Sequence, residues 1–411
     1  MPTKGNAVVG QSGGPTAVIN ESLVGVIQEL HRHAEIDKIL GAKHGVRGIV
    51  GHDFVNLRGL PGDLLERVAQ TPSSALGSTR DKPDQAYCEN IFTAFEKENV
   101  NYFFYIGGND SADTARIIAE MAVTAKFPLR VYHVPKTIDN DLRTTDHCPG
   151  YGSAARFVAL AHMGDDADNR SLPGIKINII MGRDAGWLTA ASVLARVDAS
   201  DGPHLIYVPE VDFSENRFIT DVERVFSKLG RCVIAVSEGI RYKAGDKKSL
   251  LAEKIMAGGE VDAHGNRQLS GSGALADYLT NLIKDKLGKL LESKGKSGKL
   301  RVRGDTFGYL QRSYPAIVSP TDSAEARQCG IKAVQYALSA PEGLASGSVA
   351  MKRVSADPYK IDYFPTALAN VARQTKPLPT EFIVNGCDIS GEFIKYAKPL
   401  AGVLPVPGKL F

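Results

Sequence analysis

Short apolar runs alternate along the first half of the chain with segments whose apolar positions recur every three or four residues. "NAVVG" is followed by "QSGGP", and then Ile19, Leu23, Val26, Ile27 and Leu30 fall at helical spacing. "YFFYI" runs into "GGND" and a helical segment carrying Ile117, Ile118 and Met121 on one side. "RVYHV" leads into "PKTIDND", "IKINIIM" into "GRDAG" and a helical "WLTAASVLA", and "CVIAV" into "SEGI". Continuous apolar strands alternating with helices predict an α/β fold whose mostly parallel sheets are covered on both faces. The chemically unusual residues all fall just after the predicted strands. In open parallel sheets that carboxyl edge is where ligands bind.

From about Ser200 to Leu300 the pattern loosens. "KAGDKKSLLAEKIMAGGEVDAHGNRQLSG" is charged and glycine-rich and reads as an exposed insertion. "KDKLGKLLESKGKSGKLRV" predicts a basic helix and turn ahead of a strand. Its "KSGK" lacks the first glycine and the following Ser or Thr of a Walker phosphate loop, so it reads as solvated surface. "KPLAGVLPVPGKLF" reads as an extended C-terminal tail.

The 411-residue length accommodates two domains of ordinary size, and 43% apolar with 23% charged residues is a globular composition. A net charge of +3, from 49 basic and 46 acidic residues, argues against a nucleic-acid partner. Cys88, Cys148, Cys232, Cys329 and Cys387 are dispersed and without CxxC spacing. They read as free buried thiols of a reducing compartment rather than a disulfide frame or zinc site. No signal-peptide pattern and no run of membrane-spanning length is visible, so a cytoplasmic protein with no membrane partner is expected.

In "GQSGGPTAVIN", Gly13 and Gly14 let backbone N–H groups approach an anion ahead of a helix; the bland alternative is a tight turn without a ligand. "PKTIDNDL" packs Lys136, Thr137, Asp139, Asn140 and Asp141 into a few residues, with Thr137, Asp139 and Asp141 on one side if the segment stays extended. A cation, a hydroxyl and two carboxylates suit phosphoryl transfer: Lys neutralises phosphate, one Asp accepts an alcohol proton, and another holds Mg²⁺ directly or through water. The competing reading is a capped loop. Arg80 in "GSTR", Arg183 in "MGRDAG" and Arg312 in "GYLQRSY" offer planar forks for phosphate oxygens, and Tyr309 accompanies the last. Glu238 in "SEGI" is placed to accept sugar hydroxyls. Asp110, in "YIGGNDSADTA", puts a negative charge where a phosphate would otherwise approach a glycine turn.

The ordered series GQSGGP, GSTR, GGND, PKTIDND, MGRDAG, SEGI and GYLQR resembles the phosphofructokinase family over roughly residues 5 to 330, and within it the members that use pyrophosphate. ATP-using members carry glycine where this chain has Asp110 and Lys136. The resemblance implies two Rossmann-like three-layer α/β domains with the active site in the cleft between them. The donor domain is expected at 1–150 with about 321–385, and the sugar domain at 151–320 with the C-terminal tail. It implies phosphoryl transfer from pyrophosphate to the 1-hydroxyl of fructose 6-phosphate with Mg²⁺, by a homo-oligomer (dimer or tetramer). On this mapping Gly13 and Gly14 face the diphosphate, Arg80 reaches the transferred group, and Asp139 is the proton acceptor. Thr137, Ile138, Asp139, Met181, Gly182, Arg183, Glu238, Tyr309 and Arg312 contact the sugar phosphate. Asp110 and Lys136 set pyrophosphate use, and Asn109 with Asp141 serves the metal. Asn109 stands where many relatives have Asp, and no arginine precedes MGR, where the family has one that crosses a subunit interface. Two rivals are an ATP-dependent sugar kinase and a catalytically silent regulatory subunit.

Overall fold

The computed structural model describes residues 4–242, 272–295 and 300–410, with Leu251 and Ile255. The expected insertion over 243–271 lies, apart from those two residues, outside the described residues, as does the KSGK segment at 296–299. The chain divides into two compact units, Met1–Ser153 with Arg312–Lys376, and Ala154–Gln311 with Pro377–Phe411.

Among the described residues, the first unit is built on a seven-stranded sheet. Its parallel core comprises β1 (Gly5–Gln11), β2 (Ile36–Ala42), β4 (Val100–Gly107) and β5 (Arg130–Pro135). β3 (Phe54–Asn56) closes one edge antiparallel to β2. At the other edge β10 (Gly347–Ala356) runs parallel to β5 and hairpins into β11 (Tyr359–Thr366). The strict two-residue alternation of strand side chains sorts the apolar runs onto two faces. Ala7, Val9, Tyr102, Phe104, Tyr132 and Val134 pack with α1 (Ile19–His31) and with Cys329, Ala333 and Val334 of a helix from Pro320 to Ser339. Val8, Phe103, Tyr105 and Val131 pack with α4 (Gln85–Lys97) and α5 (Asn109–Ala125). Each large side chain buried this way contributes about 1.5–3 kcal/mol. Two further short helices, α2 (Val46–Val50) and α3 (Gly62–Ala69), complete the first segment.

In the second unit a four-stranded parallel sheet has the order β7 (Leu205–Tyr207), β8 (Cys232–Ser237), β6 (Ile175–Ile180), β9 (Val302–Thr306) among the described residues. Ile175, Ile177 and Ile179 alternate onto the face covered by α8 (Glu215–Leu229) and α9 (Ala274–Ser293). α6 (Tyr151–Ser171) precedes β6, and the helical WLTAASVLA segment is only one turn of α-helix, α7 (Trp187–Ala190), continued as 3₁₀-helix to Ala195. The helix Pro320–Ser339 is α10 in chain order, and α11 is Gly391–Ala401. α11 absorbs the start of the expected tail, leaving 402–410 without regular structure. A short antiparallel pair, β12 (Ile383–Val384) and β13 (Asp388–Ile389), precedes it.

The basic helix before a strand is α9 before β9. All five cysteines are buried free thiols. No described helix is long and apolar enough to cross a membrane. The first unit takes the chain back at Arg312 and releases it after Lys376. Within that unit the Arg312 guanidinium lies against the Gly14 turn.

Candidate active site

Strand register brings the first unit's motifs to one edge. Gln11 pairs with Ile106, Ile106 with Val134, and Gly107 with Pro135, so β1, β4 and β5 end side by side. Ser12–Gly14, Gly108–Asp110 and Lys136–Asp141 therefore emerge together at the carboxyl edge. The GSTR loop is tied to the glycine turn: Gly13 N–H donates to the Thr79 carbonyl (2.9 Å) and Ser78 Oγ to the Gly13 carbonyl (2.6 Å). Ser111 Oγ donates to Ser12 Oγ (3.0 Å), joining the first turn of α5 to the same loop.

Lys136 is buried, with 4% of its surface exposed, and its ammonium donates to the Gly14 carbonyl at 2.8 Å. Gly13 has φ +76°, a conformation L side chains rarely adopt, and a Cβ there would lie 3.2 Å from Lys136 Nζ. A Cβ on Gly14 would lie 2.5 Å from Arg312 Nη1, closer than any real Cβ contact. Two cations thus press on two glycines. Burial pulls the Lys136 ammonium down to about 8; the Arg312 charge acts the same way, Asp139 and Asp141 oppose it, and Arg80 adds a smaller downward push. Arg80, Lys136, Arg312, Asp139 and Asp141 are consequently one electrostatic group around the glycine turn.

The TIDND segment does not stay extended. Thr137 makes a parallel bridge to Gly150, the chain bends at Ile138–Asp139, and Asn140 has φ +56°. Asn140 Oδ1 accepts from Cys148 N–H (3.0 Å), and Thr137 Oγ1 accepts from Asp139 N–H (3.0 Å). Side-chain hydrogen bonds to the local backbone hold the turn, as Asn and Thr commonly do. Ile138 is buried, whereas Thr137, Asp139 and Asp141 stay partly accessible.

Asn109 opens α5, and Asp110 lies in its first turn, where the helix dipole favours a carboxylate. The ion pair Asp110 makes is with Lys82 (Nζ to Oδ2 3.1 Å), both side chains being about half exposed. Lys82, two positions past Arg80, went unread in the sequence; a cation so close to GSTR was the available signal.

In the second unit, Ile180 pairs with Ser237 and Ile179 with Thr306, so β6, β8 and β9 also end together. This edge carries Met181–Arg183, Glu238 and Gly308–Gln311. Met181 N–H donates to Gln311 Oε1 (3.1 Å), Gly182 N–H to Glu238 Oε1 (3.4 Å), and Ser237 Oγ to the Gly182 carbonyl (2.6 Å). Arg241 Nη2 donates to the Arg183 carbonyl (3.0 Å) and pairs with Asp184. Glu238 is buried and Tyr309 exposed. Gln311, another residue sequence reading passed over, is buried inside GYLQR and fixes the MGR backbone. Lys176, the cation nearest the missing arginine, is engaged by Asp305 and Asp165. Arg312, expected with Tyr309 at the sugar phosphate, lies in the first unit, its Nη1 2.5 Å from where a Cβ on Gly14 would be.

A glycine turn lined by lysine and arginine at the carboxyl edge of a parallel sheet is the architecture of a phosphate-handling α/β protein. Residues 6–337 match the phosphofructokinase family, and the chain belongs to it. It is 51% identical over 401 residues, 97% of this chain and 95% of the other, to a pyrophosphate–fructose 6-phosphate 1-phosphotransferase of Rhodospirillum rubrum. A protein of the same name from Halomonas elongata is 36% identical over 96% of this chain and 91% of its own. The crystal structure of a pyrophosphate-dependent phosphofructokinase from Marinobacter aquaeolei superimposes with a TM-score of 0.82 at 31% identity, covering 98% of this chain and 93% of that one.

Proposed function

We propose that the chain transfers a phosphoryl group from pyrophosphate to the 1-hydroxyl of fructose 6-phosphate, releasing phosphate and fructose 1,6-bisphosphate. The observation that carries this reading is the gathering of Lys136, Arg80, Arg312, Asp139 and Asp141 around Gly13 and Gly14. The turn brings together three cations to neutralise a diphosphate and a carboxylate, Asp139, to accept the hydroxyl proton. With phosphate as leaving group, the phosphoanhydride broken and the phosphate ester formed nearly balance in free energy, so the reaction runs in both directions. Such a step serves glycolysis or its reverse.

Phosphoryl transfer asks mainly for positioning and charge stabilisation. Gly13 and Gly14 hold the donor, and Lys136 and Arg80 meet charge as it develops on the leaving phosphate. Arg312, next to Lys136, faces the same phosphates, which leaves Arg183 and Tyr309 to hold the sugar 6-phosphate. Thr137, Ile138, Met181, Gly182 and Glu238 orient the sugar. Among the described residues no group of three or more His, Cys, Asp or Glu side chains is assembled as a metal cage. Mg²⁺ does not need one: it is commonly bound through one or two protein oxygens, substrate phosphate and water. Asn109 and Asp141 fit that role, and the ion would supply charge neutralisation of the phosphates. A homo-oligomer in the cytoplasm completes the reading.

An ATP-dependent kinase is disfavoured by Asp110 and Lys136, and a silent regulatory subunit by the intact Asp139. A phosphoryl-transfer assay with fructose 6-phosphate and either pyrophosphate or ATP separates the three. Product from pyrophosphate alone is expected. Turnover with ATP only, or none with either donor, overturns the proposal.

A further inference from the structure

The loop that carries Asp139 is fastened from behind by a buried histidine. His147 is 1% exposed, with Nδ1 at 2.8 Å from Asp146 Oδ2 and Nε2 at 2.5 Å from Glu325 Oε2. Carboxylate oxygens only accept, so both ring nitrogens must donate, and the geometry calls for an imidazolium. Each carboxylate is itself held. Asp146 Oδ2 is 3.0 Å from Arg353 Nη2, and Tyr359 OH donates to Glu325 Oε1 at 2.7 Å. Arg353 lies over the Tyr359 ring, 5.1 Å from its centroid.

The clamp acts on the substrate segment through the residues just after His147. Cys148 N–H bonds the Asn140 side chain, and Thr137 N–H donates to the Pro149 carbonyl (3.2 Å). Thr137 and Asn140 bracket Asp139. Pulling 148–149 away would therefore shift both ends of the turn that aims the carboxylate. We propose that His147, as an imidazolium held between Asp146 and Glu325, is the positioning residue that keeps Asp139 aligned for proton transfer. The inference rests on the proposed role of Asp139, but its geometry does not.

Loss of one proton breaks the arrangement, because a neutral ring can donate to one carboxylate only and turns a lone pair toward the other. Burial alone would lower the imidazole, but the hydrogen bonds to Asp146 and then Glu325 outweigh it and hold His147 above its ordinary value. Among the described residues, the groups facing this cluster include Asp322 and Cys329 from α10, Arg353 from β10, Tyr359 and Tyr363 from β11, and Lys376 beside the loop. A raised value means the clamp is complete below the free-imidazole value, near 6.5. It is lost as pH rises through the folded one.

The test is a carbon-detected NMR titration of the histidine rings in the full-length protein, with His147 assigned from its disappearance in His147→Gln. Amide signals of Thr137 and Asp139 are followed in parallel, together with the pH profile of kcat. We expect a His147 midpoint above 6.5, the two amides moving with the same midpoint, and an alkaline fall in kcat that coincides with it. Glu325→Gln should move the midpoint down, as loss of a nearby opposite charge does. Tyr359→Phe removes a competing donor to Glu325 and should move it up, which guards against a fold defect in the first variant. Amides indifferent to the His147 titration overturn the inference even if the enzyme is active. An alkaline limb unmoved in both variants also overturns it. An inactive parent whose amides still follow His147 would instead remove the proposed reaction and leave the clamp standing.

Discussion

The Lys136 ammonium donates to the carbonyl of Gly14 at 2.8 Å, from the far end of a different strand-to-loop connection. The lysine therefore reads the glycine turn directly, and its charge is spent on a backbone dipole until an anion arrives. Burial and the neighbouring Arg312 bring it down to about 8. A lowered lysine value means the folded protein releases that proton more readily than the unfolded chain, so the charge costs stability below pH 8. The cost fades as pH rises through that value. Bound pyrophosphate reverses the balance by favouring the charged form. The KM for pyrophosphate should rise above about pH 8 with that for fructose 6-phosphate unchanged, and Lys136→Met should abolish this pH dependence while lowering kcat.

Asp139→Asn should lower kcat by ~10²–10⁴, the usual contribution of a positioned base. Fructose 6-phosphate should still bind, measured calorimetrically. Near-normal turnover would remove Asp139 from the role.

Arg312 gives a sharper test of placement. Against Gly14, it should act on the phosphates in transfer, so Arg312→Ala is expected to depress kcat. A charged hydrogen bond is worth about 1.5–3 kcal/mol, or roughly ten- to a hundredfold. A rise in KM for fructose 6-phosphate with kcat intact would return it to the sugar 6-phosphate. Gly14→Ala, whose Cβ would lie 2.5 Å from Arg312 Nη1, should mimic the loss by displacing the guanidinium.

An electrostatic gate against ATP at Asp110, as proposed, would be weaker than its sequence position suggests. Unit charges ~4 Å apart at an effective dielectric near 20 interact by about 4 kcal/mol. Asp110 is half exposed and paired with Lys82, however, and exposed pairs are worth only about 0–1 kcal/mol. Most of any ATP exclusion must then be steric. Asp110→Gly should admit ATP, measured as kcat/KM, whereas Asp110→Asn, which keeps the volume and removes the charge, should admit little. Equal gains from both variants would make the gate electrostatic after all.

Asn109→Asp restores a charge next to the phosphate turn and should lower the Mg²⁺ concentration for half-maximal activity without changing fructose 6-phosphate affinity. A magnesium titration that superimposes on the parent's would take Asn109 out of the metal role.

The apolar runs and glycine turns sufficed for the strands around "NAVVG", "YFFYI", "RVYHV", "IKINIIM" and "CVIAV", because uninterrupted burial on both faces leaves a local signature. They also sufficed to place the chemical residues at the carboxyl edges, since a turn must follow a buried strand. Family resemblance added roles that no spacing carries. The hairpin of β10 and β11 escaped because its outer residues are polar, and its place beside β5 depends on pairing across more than two hundred positions. The bend in TIDND was hidden too. It depends on Asn140 reaching Cys148 and on a bridge from Thr137 to Gly150, contacts that no local preference encodes. The resemblance names Asp110 and Lys136 together as setting pyrophosphate use. Tertiary structure gives Asp110 to Lys82 and Lys136 to Gly14, because a side chain pairs with whatever the folded backbone sets within 3 Å or so.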